Sequence, residues 1–228
     1  ITAEERAELR AALPDVLAWA RDGVRLVREL HEKNRALYDG FGLVRSSLLS
    51  LVGRDGKLDL YDGVLRARDA DGAILFDGVA CEDYGDKLRE NVRSWSYMKF
   101  PFIHDLGPDA GWYKVGPLAR IQNCDGIGTP LAEEARQELV ASGGGAIVHA
   151  PLAFHWARMI ELLHAAEVIE GLLADPDLLG DTLRSSGPRG TTGVGIIEAP
   201  RGTLIHHYEV DAQDLVTMCN LIVSTTHN

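Results

Sequence analysis

Apolar residues recur at helical spacing over two long stretches of this chain and at strand spacing over several short ones. Thr2 and Glu5 stand in a capping-box pattern, so a helix is expected from Ala3, with Pro14 expected to interrupt or restart it. From Val16, the positions Trp19, Val24, Val27, Leu30 and Leu37 keep helical spacing to about Tyr38. Gly40, Gly42, Gly53 and Gly56 then break the periodicity. Residues 58–80 read as a small β-meander whose tightest turn is Asp69-Ala70-Asp71-Gly72. Glu82 to Trp95 reads as helix, and 96–130 as irregular chain rich in aromatics, glycine and proline. Helices are expected over 131–141 and 151–174, parted by Gly143-Gly144-Gly145, with Pro151 suited to a first turn. The second carries Leu152, Trp156, Met159, Leu162, Leu163, Ala166, Ile169 and Leu173, a stripe typical of a bundle helix, and Asp175-Pro176 stops it. Strand patterns follow at 193–198, 203–210 and 215–223, with a turn near Asp211–Asp214. The fold class expected is α+β and predominantly helical, a helix-bundle core with short antiparallel β-pieces, over residues 1–228 as one domain.

Composition narrows the partners. A chain of 228 residues can bury a substantial core, and 46% hydrophobic with 25% charged residues is ordinary for a globular protein. A net charge of −11 argues against nucleic acid, which needs a concentrated basic surface. Arg21, Arg25 and Arg28 recur along the first helix, but Asp22, Glu29 and Glu32 interleave with them, the pattern of a solvated mixed-charge face. No apolar run approaches the roughly eighteen residues that cross a bilayer, so no membrane insertion is expected. The acidic, helix-forming first residues show no secretory pattern. Cys81, Cys124 and Cys219 are odd in number and irregular in spacing, which points to a reducing compartment and to core or partly buried thiols.

The densest chemistry lies in Glu198-Ala199-Pro200-Arg201-Gly202, between two strand patterns. Pro200 fixes its own φ and biases Ala199 towards extended geometry, while Gly202 frees the far side of the turn. Arg201 is thus presented from a stiff corner, where five N–H donors suit an anionic or strongly dipolar ligand. The plainer alternative is a β-turn whose arginine pairs with Glu198 or a surface carboxylate. Glu161-Leu162-Leu163-His164 is half of a di-iron carboxylate motif, but no second ExxH exists, and Arg158, Glu161 and Glu167 suit spaced pairs along one helix. There is no Walker loop, no HExxH and no GxSxG, and Gly190–Gly195 leads into a strand rather than a helix.

The segment from Glu198 to Tyr208 resembles the EAPRG region of the large subunit of [NiFe] hydrogenases. The resemblance extends in order through Trp95–Pro101, Tyr113–Arg120 and Leu221–Asn228, and is nearest to the cytoplasmic NAD-reducing bidirectional type. It implies that Arg201 overhangs the open position of a nickel–iron centre carrying carbon monoxide and cyanide ligands. Pro200 with Arg201 would border the cyanides, with Glu198 close behind, and His206 would match a buried histidine beside the cluster. Leu221 would offer a backbone carbonyl to a structural magnesium. The Trp95–Pro101 and Tyr113–Arg120 blocks are expected only to pack. In the family two CxxC motifs bind the metals; this sequence has neither and lacks the N-terminal proton-transfer glutamate, so no nickel–iron ligand is expected here. The chain is expected to be the central part of a longer subunit that works with a small iron–sulfur subunit and diaphorase subunits, or else a metal-free scaffold segment. The proline corner is expected to border a cavity or broken face.

Overall fold

The first helix starts as the spacing of Thr2 and Glu5 requires. Glu5 N–H donates to Thr2 Oγ1 at 3.2 Å and Thr2 N–H donates to Glu5 Oε2 at 2.8 Å. The computed structural model describes residues 1–226, so His227 and Asn228 of the last resembling block lie outside the described residues. Helix α1 (Ala3–Lys33) runs unbroken through Pro14, correcting the expected interruption. A proline inside a helix costs about 3 kcal/mol; burial of Leu13, Ala20 and Val24 on one face of α1 offsets it. A short helix α2 (Arg35–Gly40) follows.

Strand β1 (Ser47–Val52) has no counterpart in the expected elements, because all six residues are buried and no apolar–polar alternation marks it. It pairs antiparallel with β2 (Val64–Arg68) and parallel with β6 (Tyr113–Lys114), and β3 (Ile74–Val79) completes the order β3-β2-β1-β6. The parallel β1–β6 pair is the one departure from antiparallel pairing among these strands. The turn at Asp69–Gly72 forms as expected, with Asp69 Oδ1 accepting from the N–H groups of Asp71 and Ala73.

The expected helix over Glu82–Trp95 is instead a single turn, α3 (Tyr84–Lys87), followed by β4 (Leu88–Val92), which pairs with β5 (Lys99–Ile103). The hairpin buries Leu88 opposite Ile103, which a solvent-facing helix could not do. The segment expected to be irregular contains α4 (Pro117–Asn123), whose seven residues are all buried. A helix enclosed on every side carries no polar face to read. Helices α5 (Pro130–Ser142) and α6 (Ala153–Ala174) lie near their expected bounds, except that Pro130 opens α5 while Pro151 precedes α6. Strands β7 (Thr192–Ala199), β8 (Gly202–Val210) and β9 (Val216–Ile222) form an antiparallel sheet in that order.

Two cores result. Helices α1, α4, α5 and α6 close over Leu118, Ile121, Leu139, Trp156 and Ile160. The two larger sheets and the β4–β5 hairpin close over Leu49, Leu51, Leu65, Ile103, Ile196 and Ile205. The architecture is the expected α+β arrangement, and α4 forms the seam. Its Leu118 and Ile121 belong to the helical core, while Val115, just before it, belongs to the sheet core.

Candidate functional site

Pro200 and Arg201 are the two residues between paired Ala199 and Gly202, so the β7–β8 connection is a tight hairpin tip. Its backbone is seated on the entry to α4. Gly202 has φ 136°, and a Cβ there would lie 2.6 Å from Val115 Cβ and 2.7 Å from Gly116 N. Gly116 has φ 93°, and its Cβ would lie 2.9 Å from the Arg201 carbonyl oxygen. Gly116 is required by the Arg201 backbone, and Gly202 by Val115 and the Gly116 backbone, a close approach that no side chain could share.

Beneath this seat lies Arg120, on α4 and 2% exposed. Its Nε and Nη2 donate to the two oxygens of Glu161 on α6, each at 2.6 Å. Its Nη1 donates to Glu198 Oε2 at 2.9 Å and to the Ala199 carbonyl at 2.8 Å. Glu198 Oε1 accepts from Leu51 N–H and from Thr203 Oγ1, both at 2.8 Å, and Glu198 N–H donates to the Leu60 carbonyl at 2.9 Å. Arg158 Nη1 donates to the Pro200 carbonyl at 3.0 Å. The two carbonyls that precede Arg201 are thus each held by a guanidinium. Burial raises the Glu198 carboxyl above its ordinary range, opposed by Arg120, the Leu51 amide and Thr203. Burial works against the Arg120 cation, but Glu161 and then Glu198 more than reverse that, and Arg120 stays charged. Charge-assisted bonds in such a dry setting contribute about 1.5–3 kcal/mol each.

Glu198 is therefore engaged by Arg120 and not by Arg201, which removes the simple turn-pair explanation. Arg201 itself is exposed, and its Nε donates to Thr225 Oγ1 at 2.8 Å. Among the described residues it has no carboxylate partner. Pro200 is exposed beside it. His206 is half-buried further along β8, roughly 13 Å from Gly202 at strand rise. Its Nδ1 lies 3.5 Å from Tyr208 Oη, and it is paired with Gly195 on one side and Leu221 on the other. The fold thus brings Glu198, Pro200 and Arg201 together at the corner, and His206 with Leu221 on one sheet face. Ser224–Thr226, after β9, meets the corner through Thr225. Three cavities lined by the described residues lie around α1 and α5, under β2 and beside His149, and none of these three touches the corner.

The ExxH residues do other work than expected. Glu161 belongs to Arg120, His164 Nδ1 meets Thr129 Oγ1 at 2.9 Å, and burial lowers the His164 pKa. Glu167 accepts from Leu131 and Ala132 N–H at 2.9 Å each, capping α5, so the pairs expected among Arg158, Glu161 and Glu167 do not form. Cys124 is buried and its thiol is pushed up to about 11 by burial; Cys219 is exposed, contrary to expectation. Among the described residues no three His, Cys, Asp or Glu are grouped so as to hold a metal ion. The side chains present do not fit a nickel–iron ligand set, and what they build is a supported cationic corner. Arg120 is the residue that sequence reasoning left to packing. No signal in the sequence marked it: its segment reads as irregular chain, and its partners Glu161 and Glu198 lie far along the chain.

Relatives of known kind can be set beside this geometry. No family model matches the chain. The beta subunit of the NAD-reducing hydrogenase HoxS of Cupriavidus necator is 44% identical over 222 residues, covering 95% of this chain and 45% of that protein. A component of the F420-non-reducing hydrogenase vhu of Methanococcus voltae is 40% identical, covering 99% of this chain and 53% of that protein. A crystal structure of an NAD+-reducing [NiFe]-hydrogenase in the H2-reduced state superposes with a TM-score of 0.94 at 50% identity, over 100% of this chain and 51% of that one. The chain belongs to the [NiFe]-hydrogenase large-subunit family. It spans about half the length of the relatives it matches. No helix among its described residues is long and apolar enough to cross a membrane.

Proposed function

We propose that this chain is part of the catalytic subunit of a [NiFe] hydrogenase that interconverts dihydrogen with two protons and two electrons and exchanges the electrons with NAD through partner subunits. The observation that carries this reading is the likeness of the whole chain to about half of an NAD+-reducing [NiFe]-hydrogenase subunit, beside a corner that presents Arg201 with no carboxylate partner among the described residues. The metal centre, with its carbon monoxide and cyanide ligands, would be held by residues other than these and would supply the electron-pair acceptor that dihydrogen cleavage needs. Arg201 is a poor proton acceptor at neutral pH. Its part is electrostatic: a fixed cation beside the reacting position stabilises charge as the H–H bond polarises. The Leu221 carbonyl, opposite His206, is the candidate magnesium ligand. A small iron–sulfur subunit, diaphorase subunits and a cytoplasmic setting complete the reading. The likeness to hydrogenase large subunits does not favour a metal-free scaffold.

The test is made on the full-length subunit purified with its partners, measuring nickel and iron content and dihydrogen-dependent reduction of NAD. Arg201→Lys is expected to keep the metals and lower turnover by about 100-fold or more, the scale of one lost electrostatic donor. A complex without nickel, or an R201K enzyme with undiminished turnover, would sink the assignment.

A further inference from the structure

We propose that Arg120 is a positioning residue for Arg201, setting the height and direction of the corner through the Glu198 carboxylate and the Ala199 carbonyl. The inference rests on the proposed hydrogenase function for its kinetic consequence, but its geometry does not. One guanidinium joins three elements: α4 carries it, α6 supplies Glu161, and the end of β7 supplies Glu198 and Ala199. Leu51 on β1 and Thr203 on β8 hold Glu198 from the other side. Arg201 lies one peptide beyond the last of these bonds, so a shift of Ala199 is passed to it through the single rigid residue Pro200. The backbone contact at Gly116 and Gly202 stops the corner from settling closer to α4, and the Arg120 bonds, together with Arg158 on the Pro200 carbonyl, keep it from lifting away. A plain core salt bridge needs one carboxylate. Here the guanidinium also grips the backbone next to the arginine that faces outward.

Lysine at 120 keeps the charge but loses the planar fork, and a single ammonium cannot serve Glu161, Glu198 and Ala199 in their present places. Misplacement of a functional group by about 1 Å costs up to roughly a hundredfold in rate. In the full-length complex, Arg120→Lys is therefore expected to lower turnover per bound nickel by about 10- to 100-fold, with the KM for dihydrogen little changed. The infrared bands of the iron-bound diatomic ligands should shift, because the nearby cation has moved. The deciding measurement is a double-mutant cycle with Arg201→Lys. If Arg120 acts through Arg201, R120K in the R201K background lowers turnover per nickel no further. Additive losses, or a normal turnover per nickel in R120K with only a lower melting temperature, overturn the proposal.

Arg136→Lys supplies the control for a purely structural arginine. Arg136 is half-buried against Glu133 and the carbonyls of Ile121 and Asp125, away from the corner, and its loss should lower stability without changing turnover per nickel. Should R120K fail to assemble, Thr203→Val removes one donor from Glu198 at constant volume and is expected to reproduce a smaller loss with the same non-additivity; an additive T203V loss counts against the proposal equally. If R201K turned over normally, the functional reading would fail separately. Amide exchange at Gly202 and Thr203 would then judge Arg120 alone: faster exchange in R120K upholds its hold on the corner, and unchanged exchange ends it.

Discussion

Glu198 shows how one side chain can be read correctly as important and wrongly as to partner. The turn places it three residues before Arg201, close enough to pair, yet its carboxylate points inward to Arg120, Leu51 and Thr203. Replacing it with glutamine leaves Glu161 as the one carboxylate on Arg120. Loss of one partner of a buried pair costs about 3–5 kcal/mol when nothing remains, so Glu198→Gln is expected to fall near or below the lower end, checked by urea unfolding. Lys114 carries a second prediction. Burial, with the charge of Arg45, lowers its pKa to about 8, and it lies 3.1 Å from His149 Nδ1 and against the Val44 carbonyl. The folded chain releases this proton near pH 8, while the unfolded chain holds it to about pH 10.5, the ordinary lysine value. Unfolding therefore takes up a proton between those values, and stability rises with pH across the window. Lys114→Met should flatten that rise, seen as a denaturation midpoint that no longer climbs between pH 8 and 10.5 relative to the parent.

At the scale of elements, legibility followed the solvent. The capping box of α1, the Asp69–Gly72 turn and the bounds of α5, α6 and β7–β9 could be read because each has a polar side, a cap or a turn residue. Strand β1 and helix α4 could not, since enclosure on every side erases the alternation and the stripe. Pro14 in α1 and the β4 hairpin went the other way: local preference pointed elsewhere and tertiary packing prevailed. Gly202→Ala would press a methyl group into Val115 and the Gly116 backbone at a φ that alanine resists. Strain and overpacking are each about 1–3 kcal/mol, so a loss of about 3 kcal/mol or more is expected in thermal unfolding, with slower turnover if the corner shifts. Glu167→Ala uncaps α5 and should cost about 1 kcal/mol, as a lost N-terminal cap does, measurable as faster amide exchange at Leu131 and Ala132.

Across the whole molecule, large apolar side chains stand in solvent along two helices. Trp19, Leu26 and Leu30 are exposed on α1, and Leu162, Ile169 and Leu172 on α6. Apolar surface presented by repeated side chains along a helix favours association. The 228-residue chain by itself is expected to self-associate at micromolar concentration, and Leu26→Glu with Leu30→Glu should shift light-scattering mass towards the monomer.

Composition, hydropathy period and turn residues by themselves determined the fold class, the outer helices, the last sheet and the identity of the proline corner, because those features are written in neighbouring residues. Only the tertiary structure decided what supports that corner. Glu161 and Glu198 stand 41 and 78 positions along the chain from Arg120, which joins them. Nothing local distinguishes a guanidinium destined for a buried carboxylate pair from one destined for water; the choice is made when α4 is enclosed and its charge has to be met where it lies.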